Sequence, residues 1–402
     1  MLAPFKQATP LLERIESAGY EAYFVGGAVR DSLLGREIAD VDIATSALPD
    51  ELKAIFPHTV DIGIEHGTIL VLYNGIPYEI TTFRSESGYS DYRRPDQVEF
   101  IRSLSEDLKR RDFTMNAIAM DRMGNYIDPF NGQHAINEKQ IITVGNPEER
   151  FGEDALRMMR AVRFVSQLNF TIEQETLASL AKMPQLLEKI AVERKLAEFE
   201  KLLVGPSRKE AISILGQIGL SNYLPGLLGQ SESLNKMVDY NLDELSLSEM
   251  WALLIQQIGL NEHEASKFLR QWKLPVKHIK HILKTLSWLR YRLERKWTSL
   301  SAYDAGKDFM LSAEKLVRSV KGLNPSTQVE LVKLYDHLPI KSRSELNLTG
   351  SDLLSWLNKS PGPWINNCLR LVEEKVISGE VVNEKADIRE WLINCNQTLE
   401  KD

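Results

Sequence analysis

Two adjacent glycines, Gly26 and Gly27, most constrain how this chain can fold. They follow residues 23–25, an apolar run that predicts a short buried strand, and precede residues 28–34, which predict a short helix. Glycines at such a junction let backbone N–H groups approach a ligand, and the N-terminus of the helix attracts anions such as phosphate. Arg30 adds a positive charge beside them. The sequence therefore predicts a phosphate-binding turn.

A pair of carboxylates follows this turn. Asp40 and Asp42 lie two residues apart in a β-like run, and in a strand such residues point to the same face. Mg²⁺ favours one or two carboxylates together with phosphate oxygens of a substrate. Alone, Asp-x-Asp is more often a solvated strand end. With Gly-Gly and Arg upstream, the pattern favours metal-dependent nucleotide chemistry.

The run from Gly26 to Thr45 resembles the signature of class II nucleotidyltransferases of the polymerase β superfamily. Within that group it is most similar to the bacterial tRNA nucleotidyltransferases, the CCA-adding enzymes. The resemblance implies template-independent addition of C, C and A to the 3′ end of tRNA from CTP and ATP, with release of pyrophosphate and with Mg²⁺ held by Asp40 and Asp42.

Three alternatives stay open at this point. Bacterial poly(A) polymerase shares the same head motif, and a relative that adds only CC is the second alternative. The third, from a different class, is an inactive RNA-binding protein. The presence of both Asp40 and Asp42 argues against that third reading.

A β-hairpin is predicted by two β-rich runs, residues 68–73 and 78–83, on either side of Asn74-Gly75, a pair typical of a type I′ turn. Glu79 lies inside the second run. The resemblance implies that Glu79 adds a third, catalytic carboxylate beside the aspartate pair. An exposed strand residue is nearly as well favoured.

Residues 85–97 are polar, charged and rich in turn-forming residues, so they predict a flexible loop between β segments. Their length and their mixture of acids, Tyr92 and two arginines favour a mobile element beside an active site. CCA-adding enzymes have such a loop here, and the relatives that add only CC lack it. The loop therefore weakens the CC-only alternative.

A second motif runs from Arg110 to Ala117. Paired arginines suit phosphate, and an adjacent carboxylate can accept a hydrogen bond from a ribose hydroxyl. The resemblance implies that Arg111 contacts the triphosphate and that Asp112 contacts the ribose 2′-hydroxyl. A salt bridge at a helix start is the alternative reading of these residues alone.

Residues 153–164 predict one continuous helix, in which Asp154, Arg157, Arg160 and Arg163 recur every three residues. At about 100° per residue this stripe winds slowly along one side of the helix. An ordinary ladder of salt bridges is the alternative, but three arginines against one acid favour an anionic ligand.

The resemblance sharpens the role of this stripe. It implies that Asp154 accepts from the exocyclic amine of cytosine or adenine and that Arg157 donates to a ring acceptor, so that a wrong base leaves polar groups unpaired. It also implies that Arg160 and Arg163 bind phosphates. A further family motif, with Arg194 and Glu198 four residues apart, supports this helix.

Length and periodicity predict the architecture. The fold class is an α+β N-terminal nucleotidyltransferase head, a small mixed sheet with helices, followed by all-α neck, body and tail. Among the 402 residues we place the head at 1–145, the nucleotide-selecting neck at 146–205, the body at 206–300 and the tRNA-binding tail at 301–402.

Charge and cysteine content limit the possible ligands and the cellular location of the protein. The net charge is −7, yet residues 267–296 contain ten Lys or Arg and one acid, a density typical of phosphate-backbone binding. A solvated helical face is equally favoured for that segment alone. Two cysteines fit a reducing, cytoplasmic setting, and no apolar run predicts a membrane span. A homodimer is compatible with the sequence.

Overall fold

The protein is described by a computed structural model covering residues 1–88, 97–322 and 327–399. Residue contacts divide the chain into two compact units. The first comprises residues 1–238 with 268–273, and the second comprises 239–267 with 274–402. The predicted head and neck thus belong to one unit. The four-part division stays a prediction.

A mixed β-sheet forms the core of the head. The strands are β1 (Ala22–Val25), β2 (Asp42–Thr45), β3 (Thr59–Gly63), β4 (Thr68–Tyr73), β5 (Ile76–Thr82), β6 (Arg84–Ser87), β7 (Gln97–Phe100), β8 (Ala119–Met120) and β9 (Tyr126–Ile127). Within the described residues, seven of them form one sheet in the order β3-β4-β5-β2-β1-β8-β9. Strands β2 and β5 are parallel, and the other neighbours are antiparallel.

The predicted hairpin is confirmed. β4 pairs with β5 from Thr68↔Thr81 to Tyr73↔Ile76. The turn residues Asn74 and Gly75 have φ values of +52° and +78°, as a type I′ turn requires.

The two ends of the predicted loop 85–97 are strands. Residues 85–87 and residue 97 belong to β6 and β7, which pair antiparallel, and we call this pair the β6–β7 ribbon. Residues 89–96, where most of the predicted loop falls, lie outside the described residues. Alternating polar and apolar residues at the two ends of the segment were too few to indicate strands.

Helices pack against the sheet. Helix α1 (Ala3–Ser17) buries Phe5 and Leu12, and the ring of Phe5 packs 4.9 Å from that of Phe24 on β1. Its apolar residues recur at helical spacing, which makes the helix amphipathic. Helix α2 (Gly27–Leu33) follows the glycine turn, and α3 (Pro49–Ile55) begins at a proline.

The remaining helices of the first unit extend from the head into the neck. They are α4 (Leu104–Lys109), α5 (Gly132–Asn137), α6 (Pro147–Glu153), α7 (Leu156–Leu168), α8 (Gln174–Lys182), α9 (Val192–Val204), α10 (Arg208–Gln217) and α11 (Ser231–Val238). Two short strands, β10 (Gln140–Ile141) and β11 (Thr171–Ile172), pair in parallel between them.

One helix boundary differs from the sequence prediction. The continuous helix expected over 153–164 is wrong, because α6 ends at Glu153 and α7 begins at Leu156. Asp154 has extended backbone angles (φ −132°, ψ 101°), and its Oδ1 accepts a hydrogen bond from the Leu156 amide. Asp154 lies one residue before the N-cap of α7, Ala155, and its side chain satisfies the amide of the first residue of this helix.

The second unit is helical wherever the structure assigns regular elements. Its helices are α12 (Leu247–Gln257), α13 (Glu262–Gln271, whose last residues belong to the first unit), α14 (Val276–Glu294), α15 (Ser299–Ala305), α16 (Lys307–Lys321), α17 (Thr327–Asp336), α18 (Gly350–Leu357), α19 (Trp364–Ser378) and α20 (Lys385–Leu399). Met310, Leu353 and Val372 are fully buried in its apolar core. An α+β head followed by a helical remainder is confirmed.

Candidate active site

The glycine turn brings three chain segments together. Gly26 has φ +71° and ψ −134°, a conformation that favours glycine. A Cβ atom at this position would lie 3.2 Å from Nη1 of Arg111 and 3.7 Å from Oδ2 of Asp42. Glycine is therefore favoured here by backbone geometry, and the Arg111 side chain approaches it closely.

Carboxylates lie beside this turn, at the start of β2. The parallel register pairs Ile43 with Ile80, which places Asp42 beside Glu79 in the adjacent strand. Ile43 and Ile80 are fully buried, so Asp42 and Glu79 share the opposite face of the sheet. The prediction that both aspartates lie in the strand is wrong, because β2 begins at Asp42 and Asp40 precedes it.

These carboxylates repel one another. Burial raises the pKa of the Asp42 carboxyl, and the negative charge of Glu79 raises it further. Arg111 opposes this shift, and Asp40 adds to it. A divalent cation would relieve such repulsion. In the part of the chain that the structure describes, no three His, Cys, Asp or Glu side chains form a ready-made metal cage.

A cleft of about 590 Å³ opens at the turn. Eight arginines and three aspartates line it, which gives its walls an excess of positive charge suited to a triphosphate. The lining residues are Gly26, Gly27, Arg30, Asp42, His66, Arg84, Arg110, Arg111, Asp112, Asn116, Asp154, Leu156, Arg157, Arg160, Arg163, Phe164 and Arg194.

Asp112 connects the motif that begins at Arg110 to helix α7 through hydrogen bonds. Its Oδ2 accepts from Nε of Arg160 at 2.7 Å, and its Oδ1 accepts from Nδ2 of Asn116 at 2.9 Å and from the Phe113 amide at 2.8 Å. Asn116 in turn accepts from Arg30 at 2.7 Å. Burial acts to raise the pKa of Asp112, but Arg160 and Asn116 outweigh it and lower the pKa to about 2.

Asp154 and Arg157 are held rigidly at the start of α7. Both carboxylate oxygens of Asp154 accept from Arg194, at 3.3 and 2.8 Å. Arg157 donates to Glu153 at 2.5 Å, and its other Nη nitrogen donates to the carbonyl of Arg110 at 2.9 Å. The motif containing Arg194 therefore supports the start of this helix through a direct ion pair.

Arg163 is as deeply buried as Arg157 in the predicted stripe. Its Nε lies 2.5 Å from Glu198, its guanidinium lies 3.9 Å from the centre of the Phe164 ring, and the side chain is only 9% exposed. Burial lowers the pKa of Arg163 to about 10, although Glu198 opposes the shift. Glu198 largely neutralises the charge of this arginine.

The cleft gathers most of the residues that the sequence predicts. Ten of the predicted site residues line it, whereas Asp40 and Glu79 influence it only through their charges on Asp42. These ten are Gly26, Gly27, Arg30, Asp42, Arg111, Asp112, Asp154, Arg157, Arg160 and Arg163.

Sequence reasoning missed other residues of the cleft, among them His66, Arg84, Asn116 and Phe164. Asn116 lies inside the motif that begins at Arg110, so its polarity in an otherwise apolar stretch was an available signal. Phe164 contacts the guanidiniums of three arginines, yet a phenylalanine at helical spacing indicates an ordinary core position.

Comparison with known proteins identifies the family. A CCA-adding enzyme from Bacillus cereus is 48% identical over 394 residues, which span 98% of this chain and 99% of that protein. The crystal structure of a Bacillus stearothermophilus CCA-adding enzyme in complex with CTP matches with a TM-score of 0.92 and 45% identity, covering 100% of both chains. This chain belongs to the CCA-adding enzyme family. The resemblance drawn from the sequence is confirmed.

Three family models match successive parts of this chain, and their ranges fit the two units. The poly A polymerase head domain matches residues 22–142, and the RNA and SrmB-binding site of polymerase A matches residues 169–229. The tRNA nucleotidyltransferase domain 2 matches residues 245–392. A Thermotoga maritima CCA-adding enzyme complexed with tRNA shares the fold, with a TM-score of 0.66 and 21% identity over 97% of this chain and 95% of that one.

The basic segment 267–296 is only partly available to a ligand. Arg290 donates to Gln256, and Arg292 donates to Glu314 at 2.7 Å. Lys277 and Lys280, in the first turns of α14, are exposed. The sequence overstated the free charge of this segment because ion pairs between distant residues are not visible in a local count.

None of the helices in the described ranges is long and apolar enough to cross a membrane.

Proposed function

We propose that this protein adds C, C and A to the 3′ end of tRNA that lacks all or part of this sequence, using CTP and ATP and releasing pyrophosphate. The observation that supports this most strongly is the arginine-lined cleft, in which the Asp42 carboxylate lies beside a glycine turn and the Asp154/Arg157 pair lies at the start of α7. Family membership at 48% identity over nearly the whole chain supports the same reaction.

Asp40 and Asp42 would hold Mg²⁺, and Glu79 would support them from β5. The mutual repulsion of these carboxylates supports this role. Bound magnesium would supply the positive charge that activates the primer 3′-hydroxyl and neutralises the leaving pyrophosphate. The remaining catalytic contribution of the chain is to position both substrates.

The triphosphate would lie against Gly26, Gly27, Arg30 and Arg111. Arg111 supports this placement best, because its Nη1 already lies against the glycine turn. Its Nε is buried and has no hydrogen-bond partner among the described residues, so an anion could satisfy it.

Asp112 would accept from the ribose 2′-hydroxyl. Two donors approach each of its oxygens, so all four lone-pair positions are occupied. Ribose binding therefore requires one donor to leave. Arg160 is the donor that we expect to move, because its side chain is 34% exposed and a phosphate offers it another anionic partner.

Asp154 and Arg157 would select the base. Asp154 would accept from the amine shared by cytosine and adenine, and Arg157 would donate to a ring acceptor, so uracil and guanine leave buried groups unpaired. Arg160 and Arg163 would bind phosphate, which for Arg163 requires its ion pair with Glu198 to open.

The helical remainder would bind tRNA by shape and by phosphate contacts, with the exposed lysines of α14 as candidates. We retain a cytoplasmic location as part of the proposal, because tRNA and nucleoside triphosphates meet there. A homodimer stays a prediction.

The test is incubation of the purified protein with Mg²⁺ and tRNA that lacks its 3′ CCA, with CTP alone, with ATP alone and with both. We expect two C residues with CTP alone and a fixed CCA end with both. Long A tracts from ATP would instead indicate a poly(A) polymerase, and arrest after two C residues in the presence of ATP would indicate a CC-only enzyme. Binding without incorporation would leave only an RNA-binding protein.

A further inference from the structure

Asp107 lies behind the cleft and was not singled out by the sequence. It belongs to α4 and is 1% exposed. Its position three and four residues before Arg110 and Arg111 is typical of a surface salt bridge on a helix. Its almost complete burial distinguishes it from one, because a buried charge is costly unless it is paired.

Three neighbouring groups donate to this one carboxylate. Oδ1 of Asp107 accepts from Nε and Nη2 of Arg110, at 3.0 and 2.8 Å, and from the backbone amide of Arg84 at 3.3 Å. Oδ2 accepts from Nη2 of Arg111 at 3.2 Å. Burial acts to raise the pKa of Asp107, but the two arginines outweigh it and hold the pKa below its ordinary value.

Arg111 therefore extends between two fixed points. Its Nη2 lies on Asp107, and its Nη1 lies against the glycine turn, 3.2 Å from where a Cβ of Gly26 would be. The contact with Asp107 fixes one end of the guanidinium, so the other end points toward the cleft. Arg84 is the first residue of the β6–β7 ribbon, so the same carboxylate also fixes the base of that ribbon.

We propose that Asp107 is a positioning residue for the triphosphate, which holds Arg111 against the Gly26 turn and joins this arginine to the first residue of the β6–β7 ribbon. The inference rests on the proposed nucleotidyl transfer and adds to it a residue that never contacts the substrate. Asp107 does not line the cleft, so it would act on the nucleotide through Arg111 and not by direct contact.

Charge alone predicts the opposite result. Removal of the negative charge of Asp107 leaves Arg110 and Arg111 with more net positive charge, which by itself would strengthen the binding of a triphosphate. Weaker nucleotide binding by a folded Asp107→Asn protein therefore cannot come from the change of charge and indicates a loss of positioning. This difference in sign makes the test decisive.

The experiment compares Asp107→Asn with the wild-type protein and with Glu106→Gln, a matched control in which an exposed acid next in the chain loses its charge. The substrates are CTP and tRNA that lacks CCA, and the competing ligand is pyrophosphate, which has neither base nor ribose. We expect KM for CTP and the inhibition constant of pyrophosphate to rise together by about tenfold, a binding loss of roughly 1.4 kcal/mol. KM for tRNA should not change.

A pyrophosphate inhibition constant that is unchanged or lowered in Asp107→Asn would overturn the proposal. Should this variant not fold, as judged by circular dichroism, Asp107→Glu takes its place, because it keeps the charge and displaces the carboxylate by one methylene. The same rise is then expected. An inactive wild-type protein would instead refute the proposed function, so the two failures are distinguishable.

Two further readouts separate positioning from general stability. In an Arg111→Lys background, Asp107→Asn should add less than about twofold to KM for CTP, because both changes act on one contact. Full additivity would contradict the proposal. The Arg84 amide should exchange its hydrogen faster in Asp107→Asn, and unchanged protection would remove the ribbon from the proposal.

Discussion

At the scale of single residues, Asp42 is where the fold and the proposed chemistry meet. It is the first residue of β2. The negative charge of Glu79 raises the pKa of its carboxyl, and the positive charge of Arg111 lowers it. A carboxylate at a cleft with one positive and one negative neighbour is typical of a functional site. A surface aspartate at a strand end would show neither.

We expect Asp42→Ala to abolish nucleotide incorporation, by roughly 10³-fold or more, because a lost metal ligand removes several kcal/mol of charge stabilisation. Affinity for tRNA should change little, since phosphate contacts elsewhere supply it. Labelled CTP incorporation and fluorescence anisotropy of tRNA measure the two effects. Asp50→Ala, which removes an exposed acid of α3, is the control. Activity retained in Asp42→Ala would refute the metal assignment.

Asp112 predicts a pH dependence of stability. Burial opposes ionisation, but Arg160 and Asn116 lower its folded-state pKa to about 2, below the ordinary value of 3.8. A depressed carboxyl pKa stabilises the folded state above the ordinary pKa, and this contribution disappears as the pH falls through the folded-state value. We expect about 2 kcal/mol of unfolding free energy to be lost between pH 4 and pH 2. Urea unfolding at several pH values measures it, and Asp112→Asn should lack this component. Parallel curves for the two proteins would contradict the account.

At the scale of elements, local patterns predicted most of what the structure shows. The hairpin at Asn74-Gly75, the helix α1 and the strand before Gly26 follow from turn chemistry and apolar spacing. The break at Asp154 was missed, because helix propensity through residues 153–164 hid the extended backbone of this aspartate and its hydrogen bond to the Leu156 amide.

Contacts between distant residues could not be predicted from local patterns. Asp112 and Arg160 are 48 residues apart in the chain, and Asp154 and Arg194 are 40 apart. Their charges were visible, but which acid meets which base depends on how α7 and α9 pack against the head. The burial of Asp107 was hidden for the same reason.

Packing of α7 against the end of α9 yields an element-scale prediction. A Cβ at Gly205 would lie 2.2 Å from Oγ of Ser166 and 2.5 Å from its carbonyl oxygen, although the backbone angles of Gly205 suit any residue. We expect Gly205→Ala to lower the free energy of unfolding by about 1–3 kcal/mol through this overlap. Gly152→Ala on α6 is the control, since no described atom lies within 4 Å of its Cβ position. Equal stability of the two variants in chemical denaturation would contradict the packing argument.

At the scale of the whole molecule, charge is distributed unevenly. The chain has a net charge of −7, while the cleft has eight arginines and α14 begins with exposed lysines. Net charge alone would have argued against a nucleic-acid ligand. Phosphate is attracted by a local concentration of positive charge. The sequence shows part of this concentration, and folding brings the other arginines together.

We expect Lys277→Ala with Lys280→Ala to weaken tRNA binding and to reduce the slope of log affinity against log salt by about one to two, the change for one or two lost phosphate contacts. KM for CTP should not change. Anisotropy titrations at several salt concentrations measure the slope. Lys182→Ala with Lys236→Ala changes the charge equally and removes lysines paired with Glu148 and Glu232. An equal effect of both pairs would show that α14 has no special role.

The central claim is that amino-acid side chains, and no nucleic-acid template, choose the added bases. The most direct test is the sequence of tRNA 3′ ends made with all four nucleoside triphosphates by Asp154→Ala. The control is Arg194→Ala, which breaks the same ion pair but keeps the carboxylate. We predict CCA ends from the wild-type protein and from Arg194→Ala, and added U or G from Asp154→Ala. Unaltered CCA ends from an active Asp154→Ala protein would contradict the account.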